Sequence, residues 1–413
     1  MRIHPIISSL RHHRLTTFLL MLQIACTCAI VCNAVFLIVN RIEQVNLPSG
    51  LAENQLSVIS SEDIRKDDNA EAQQAADLAV LRALPGVQSA AAIMNGSLPL
   101  NRNSSSTFVC ATQEDFQKAV QDNAPGPHCV EPSEYAGTPG TFTTLGLHLV
   151  EGRQFEPDEY ITESLQQADA PTVMIISRSL AQRLYPEQDA VGQSAYVNGK
   201  PMHVVGIVDH LLRPYLDKPA TNYYSMLWPV SPNSADAMYI LRSASQDRQQ
   251  VLKAAVAALN KLNPERLIQE QKTYDQIRHT YFQRDVTMIG LLLASVSGLL
   301  FVTALGITGL ASFWVQQRTK QIGIRRAIGA TRGDILHYFQ LENFLIVSTG
   351  IAFGLTLAVA LNLTLMRYYE IPRLSWFYLP ISAVVLWLLG QLAILNPALR
   401  AASVSPVTAT RNV

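Results

Sequence analysis

Charge is missing from four long stretches of this sequence. Residues 15–39, 286–315, 343–366 and 374–399 contain no Asp, Glu, Lys, Arg or His. Each exceeds the ~20 residues that a helix needs to cross a ~30 Å hydrocarbon core. A core helix of a soluble protein rarely runs so far without charge, so four transmembrane helices are expected and a soluble enzyme is excluded. Net charge is missing too: 32 Lys and Arg balance 32 Asp and Glu, which excludes a nucleic-acid binder driven by bulk charge. Catalytic signatures are also absent. There is no H-E-x-x-H, G-x-S-x-G or Ser-x-x-Lys pattern, and no Walker A pattern for ATP hydrolysis. His203 and His210 lie seven residues apart about a strand, hence on opposite faces, and read as surface or core histidines. Glu131, Glu134, Asp158 and Glu159 read as solvated loop acids. No metal site is expected.

The charges that are present set a topology. Arg2, Arg11 and Arg14 precede the first run without an acid. Residues 316–340 carry Arg318, Lys320, Arg325, Arg326 and Arg332 against Asp334, and the tail carries Arg400 and Arg411. By the positive-inside bias these three segments belong in the cytoplasm. The first run is too long for the apolar region of a signal peptide, and no clear A-x-A site follows it. The expected order is a cytoplasmic N-terminus (1–14), transmembrane helix 1 (15–39), an outer domain (40–285), helix 2 (286–315), a cytoplasmic loop (316–340), helix 3 (343–366), helix 4 (374–396) and a cytoplasmic tail (397–413). The short loop near Glu370 then lies outside. Gly350-x-x-x-Gly354 on helix 3 fits close helix packing, within the chain or in a dimer.

Cysteine is sparse. Cys26, Cys28 and Cys32 fall inside the first run and read as small apolar packers. Cys110 and Cys129 are the only two in the outer domain. They form one disulfide in an oxidising compartment, or remain two thiols.

The outer domain mixes α and β signals. Helical patterns cover 71–84, 178–185 and 249–262. Strand patterns cover 87–94 and 172–176, with a hairpin around Asn198-Gly199. Residues 96–143 read mostly as loop. Ile38, Ile42 and Val45 continue the first helix beyond the membrane. Pro264 opens a second helix with Leu267, Tyr274, Ile277 and Tyr281 as a stripe. The two together read as a stalk, the second being roughly 75 Å long if continuous to residue 315.

The segment Gln321, Ile322, Gly323, Ile324, Arg325, Arg326, Ala327, Ile328, Gly329, Ala330, Thr331 is the most informative. Ile324 and Ile328 share a helix face, Gly329 can end that helix, and Thr331 with Asp334 makes a capping box for the next. A basic membrane anchor would not require the small residues Gly323, Ala327, Gly329 and Ala330, which favour close contact with another protein. Here the sequence resembles the permeases of the MacB/FtsX family, the mechanotransmission class of ABC transporters, whose loop reads E-I-G-I-R-R-A-I-G-A-[TS]. The match runs from Ile322 to Thr331 and departs at Gln321, where Glu is usual. Residues 140–159 and 173–210 are similar to the family's periplasmic core, and Pro397, Ala401 and Pro406 to its tail.

The resemblance implies four transmembrane helices, with a large mixed α/β MacB-like core between helices 1 and 2 and an FtsX-like permease domain over 286–413. It implies a multi-pass protein of the bacterial inner membrane. Residues 321–331 then couple to a separate ABC ATPase subunit that holds the ATP and magnesium, with no cofactor on this chain. The implied partners are a second permease, identical or paralogous, a periplasmic adaptor, an outer-membrane channel and membrane lipids. The implied function is ATP-driven export of a peptide, toxin or antibiotic from the periplasm. Lipoprotein extraction, or signalling to an envelope hydrolase without transport, are the alternatives.

Overall fold

The computed structural model describes residues 14–63, 70–94, 97–103, 106–122, 126, 128–162, 171–233, 236–369 and 373–403. Arg2, Arg11, Glu370, Pro406 and Arg411 lie outside the described residues. Residues 47–283 form one compact unit, and residues 1–46 with 284–413 form another.

The chain opens with helix α1 (Arg14–Val45), an apolar run with neither Pro nor Gly, which ends before Pro48 and Gly50. There follow β1 (Leu56–Asp63), α2 (Ala70–Arg82), β2 (Val87–Ile93), β3 (Val109–Cys110), α3 (Gln113–Asp122), β4 (Cys129–Val130), β5 (Ser133–Ala136), α4 (Thr141–Leu145), β6 (Leu149–Gly152) and β7 (Ile161–Thr162). Next come β8 (Val173–Ser177), α5 (Arg178–Leu184), β9 (Ser194–Val197), β10 (Lys200–Val208), β11 (Ser225–Trp228), β12 (Val230–Ser231), β13 (Asp236–Ser243), α6 (Arg248–Leu262) and β14 (Arg266–Thr273). Four helices complete the chain: α7 (Tyr274–Gln317), α8 (Thr319–Ala327), α9 (Arg332–Tyr369) and α10 (Tyr378–Ser403).

The α/β unit contains two main sheets. One is antiparallel, in the order β14-β1-β13-β2. Alternation along β1 sends Val58 to one face and Ile59 to the other. Ile59 joins Leu78, Leu81, Leu252 and Leu259 of α2 and α6 in one core. Val58 joins Ile240, Ile175, Val208 and Leu227 in a second core shared with the other sheet. That other sheet is mixed, in the order β4-β3-β9-β10-β8-β11-β5, with β6 also on β10. Its strand β8 is buried throughout. The β9–β10 hairpin turns at Asn198 and Gly199, with φ +51° and +76°, the left-handed pair that such a turn favours.

Three sequence expectations are corrected here. Residues 96–143 are only about half loop, because β3, β4, β5, α3 and α4 lie there. These strands are two to four residues long, too short to leave a periodic signal. A disulfide between Cys110 and Cys129, directly opposed on β3 and β4, joins two of them and packs under Phe116 and Ala119 of α3. Secondly, Pro264 opens no helix. Residues 266–273 form edge strand β14, so Leu267 belongs to a strand and not to a helical stripe, and it is exposed. Glu159 is no free loop acid either. Both of its oxygens receive Arg153, at 2.5 and 2.8 Å, and one also receives the Glu156 amide at 2.8 Å.

In the helical unit, α1, α7, α9 and α10 are each long and apolar enough to cross a membrane. Helix α9 packs on α1 and α10. A Cβ on Gly350 would sit 2.9 Å from Ile24, and one on Gly354 2.5 Å from Cys28. The Gly-x-x-x-Gly motif therefore serves an intrachain contact. Polar side chains stitch the helices together, as expected where no water competes. Asn33 donates to the Ala358 carbonyl at 3.1 Å, Asn343 to that of Gly390 at 2.9 Å, and Thr308 to that of Ala393 at 3.0 Å. Thr27 meets Thr303 at 2.9 Å. Beyond the apolar run of α1, Arg41 pairs with Asp285 of α7.

Candidate functional site

The 321–331 segment has one face turned into the chain and one turned out. Ile322 is buried beside Ile335 and Phe339, and Gly323 is buried with it. Arg326 is half-buried and Ala330 packs on the same core. Gln321, Ile324, Arg325 and Ile328 recur at spacings of three, one and three, which places them on one helix face, and all four are exposed. Ala327, Gly329 and Thr331 are exposed beside them. Ile328 is 82% exposed, an unusual position for a large apolar side chain on a helix otherwise this polar. Of the four small residues, Gly323 and Ala330 therefore serve packing within the chain. Ala327 and Gly329 are left on the outer side.

Three devices hold this shape. The helix ends in a Schellman motif: the Ala330 amide donates to the Arg325 carbonyl and the Gly329 amide to that of Arg326, both at 3.1 Å. Gly329 at φ +108° supplies the left-handed residue this needs. Thr331 and Asp334 then form a reciprocal cap for α9, with Thr331 N to Asp334 Oδ2 at 2.9 Å and Asp334 N to Thr331 Oγ1 at 3.2 Å. The Arg325 guanidinium lies 4.9 Å from the Tyr338 ring centre, a cation–π contact between α8 and α9.

A fourth device, beyond these three, was missed in the sequence. Arg318, at the start of α8, donates to both oxygens of Glu342 on α9, at 3.1 and 2.8 Å. The Glu342 side chain is only 2% exposed. This pair, one guanidinium nitrogen shared between both carboxylate oxygens, pins the α7–α8 corner to α9. Its signal was available: Glu342 is the one acid bordering the charge-free run of 343–366.

Three of the stripe residues, Tyr274, Ile277 and Tyr281, begin α7 and are buried. Tyr274 and Ile277 enter the core shared by the two sheets, and Tyr274 donates to the Pro99 carbonyl at 3.2 Å. Burial, with Glu53 nearby, pushes the Tyr274 hydroxyl far above its ordinary pKa and keeps it a neutral donor. The Leu216 amide donates to the Tyr281 hydroxyl at 2.9 Å. One turn earlier, Arg278 reaches Glu53 and the Leu47 carbonyl, both at 2.6 Å. The stripe thus seats α7 in the core of the α/β unit. Among the described residues no group of His, Cys, Asp and Glu is arranged to hold a metal.

Comparison with known proteins decides the family. Residues 17–259 match the family described as MacB-like periplasmic core domain, and residues 292–406 that described as FtsX-like permease C-terminal. The chain belongs to the MacB/FtsX-like family of ABC transporter permeases. It is 22% identical to the uncharacterized ABC transporter permease YknZ of Bacillus subtilis over 66% of this chain and 68% of YknZ. It is 26% identical to the macrolide export ATP-binding/permease protein MacB of Chromobacterium violaceum over 65% of this chain and 41% of that protein. With the pyoverdine export ATP-binding/permease protein PvdT of Pseudomonas savastanoi it shares 27% identity over 57% of this chain and 36% of PvdT. The chain thus spans less than half the length of these two export proteins. Among solved structures, the periplasmic region of MacB from Actinobacillus actinomycetemcomitans has a TM-score of 0.36 and 14% identity, covering 57% of this chain and 97% of that one. An ABC permease of this family implies an ATPase partner.

Proposed function

We propose that this chain is the permease subunit of an ABC transporter of the inner membrane, with its α/β unit in the periplasm. A separate ATPase subunit, which carries the ATP and magnesium, docks on residues 321–331 from the cytoplasm. ATP-driven closure of that subunit pushes on α8. The Arg318–Glu342 pair makes α8 move with α9 and the end of α7. Helix α7 carries the movement to Tyr274, Ile277 and Tyr281, and work is done on a substrate outside the membrane. The apolar runs contain no Asp, Glu, Lys, Arg or His, as expected of helices that transmit force and do not line a polar path. A second permease completes the assembly, in contact with membrane lipids. The names of the export relatives, macrolide and pyoverdine export proteins, support export as the work done; a peptide, toxin or antibiotic as cargo, leaving through an adaptor and an outer-membrane channel, completes the proposal.

The observation that carries this reading is the outward face of the segment, where Ile324, Arg325 and Ile328 are exposed on a scaffold fixed from behind. Ile328→Asp and Arg325→Glu are expected to abolish the permease-dependent part of ATP hydrolysis in the complex copurified from its native membrane. Ile328→Asp is expected to leave insertion and thermal stability unchanged, since its side chain touches little. Undiminished ATP hydrolysis in both variants would sink the assignment.

A further inference from the structure

Tyr281 is attached to two loops of the α/β unit by three separate contacts. Its hydroxyl accepts the Leu216 amide at 2.9 Å. Its carbonyl accepts Arg102 Nη2 at 3.0 Å. Its ring lies 5.1 Å from the same guanidinium. Both loops are themselves linked. The Leu100 and Arg102 amides donate to the Arg213 and Pro214 carbonyls, at 3.4 and 3.0 Å. The Leu212 carbonyl receives the Tyr135 hydroxyl of β5, and Arg213 Nε donates to Ser133 on the same strand. Residues 97–103 and 211–216 thus form a layer fastened to one edge of the mixed sheet and to α7, through Tyr281 and through the Tyr274 hydroxyl on the Pro99 carbonyl.

The backbone of the first loop is unusual at the same place. Leu100 and Arg102 sit at φ +63° and +62°, two of the three non-glycine residues in the left-handed region among the described residues. Leu100 is 2% exposed, so its surroundings hold it there. Such conformations persist only where neighbouring contacts over-determine them. Arg102 is itself exposed, so packing does not explain it. What its conformation accomplishes is to aim the guanidinium at Tyr281.

We infer that the Arg102–Tyr281 contact is a latch that delivers movement of α7 to the 97–103 and 211–216 layer. Tyr274 and Ile277 anchor the helix in the core between the sheets, where it has little freedom. Leu98 and Leu211 of the layer lie in that same core, while Tyr281, further along the helix, grips the exposed Arg102 and the Leu216 amide at the layer's outer end. Arg102 is a positioning residue: it sets which part of the unit answers the helix. The inference rests on the proposed function, because it takes α7 as the moving element.

The test uses the permease–ATPase complex from its native membrane, with amide hydrogen exchange measured with and without ATP and vanadate. The unmodified chain is expected to show nucleotide-dependent changes at 274–283 and in the 97–103 and 211–216 layer. Arg102→Gly, which suits the left-handed backbone and removes the side chain, should keep the change at 274–283 and diminish it in the layer. Tyr281→Phe should diminish it at 211–216, and Arg102→Lys should restore part of the response at 97–103. A layer response as large in Arg102→Gly and Tyr281→Phe as in the unmodified chain overturns the latch. Absence of any response at 274–283 in an unmodified, ATP-hydrolysing complex overturns the function reading instead, and the latch with it.

Discussion

Each unit of the molecule buries an ion pair, and the two pairs have different surroundings. In the α/β unit, Asp77 and Arg266 meet at 2.6 Å with both side chains all but fully enclosed, and the Tyr239 hydroxyl donates to the same carboxylate oxygen. In the helical unit, Arg318 and Glu342 meet at the end of the apolar helices, where the arginine keeps 13% exposure. The reference states differ as well. Unfolding the α/β unit returns Asp77 to water, whereas a helix that separates within a bilayer can find other polar partners. The comparison suggests that the first pair holds a fold together and the second holds an angle.

That contrast is open to test. Asp77→Ala strands Arg266 in the core and is expected to cost about 3–5 kcal/mol, read as lost amide protection in β1 and β13. Cys110→Ser opens a loop with a sequence separation of 19. An effect of about 3 kcal/mol on the same unit is expected, with the largest loss of protection in β3, β4 and α3. Glu342→Ala is expected to cost only about 1–2 kcal/mol within the helical unit, yet to lower permease-dependent ATP hydrolysis far more than Asp77→Ala does at equal folded fraction. Equal functional loss at equal folded fraction would collapse the distinction.

Smaller effects refine it. Gly329→Ala puts a Cβ at φ +108° with open space around it, so the cost is backbone strain alone, about 1–2 kcal/mol, and should be confined to α8. Glu159 gives the smallest. The Arg153 hydrogen bond first, then the Glu156 amide, holds its carboxyl below the ordinary glutamate range. Its stabilising contribution is full above an unfolded value of about 4.3 and fades as the pH falls through the lower folded value. Arg153→Gln should flatten that part of the acid-unfolding curve of the α/β unit, and an unchanged curve would count against the pair.

The helical unit was legible in the sequence because a charge-free run of this length has few competing explanations. The turn at Gly329 and the cap at Thr331 and Asp334 were legible because each depends on neighbours within a few residues. Glu342 was not, since its role depends on Arg318 meeting it across a corner of the chain. The stripe from Leu267 to Tyr281 mixed two periods. Residues 274, 277 and 281 follow a helix, but 267 fits that helix at a spacing of seven only by coincidence, and residues 266–273 alternate as an edge strand does. The short strands around the disulfide carried no local signal, because their pairing comes from the cross-link and from β9.

The stitching of α1 has a consequence for how the protein is made. Its contacts to α7 and α9 join residues 276 and 325 positions apart. At a ribosomal pace of about 5–20 residues per second, α1 waits roughly a quarter of a minute to a full minute for those partners. On the proposed reading it spends that interval in the bilayer with Thr27 and Asn33 lacking their final neighbours. Asn33 has a provisional one, the Ala29 carbonyl one turn back in its own helix, at 3.0 Å. A helical threonine such as Thr27 has the same option open to it, the carbonyl four residues back. The first helix thus carries polar side chains that can be satisfied alone, suited to a segment that is synthesised first and joined last.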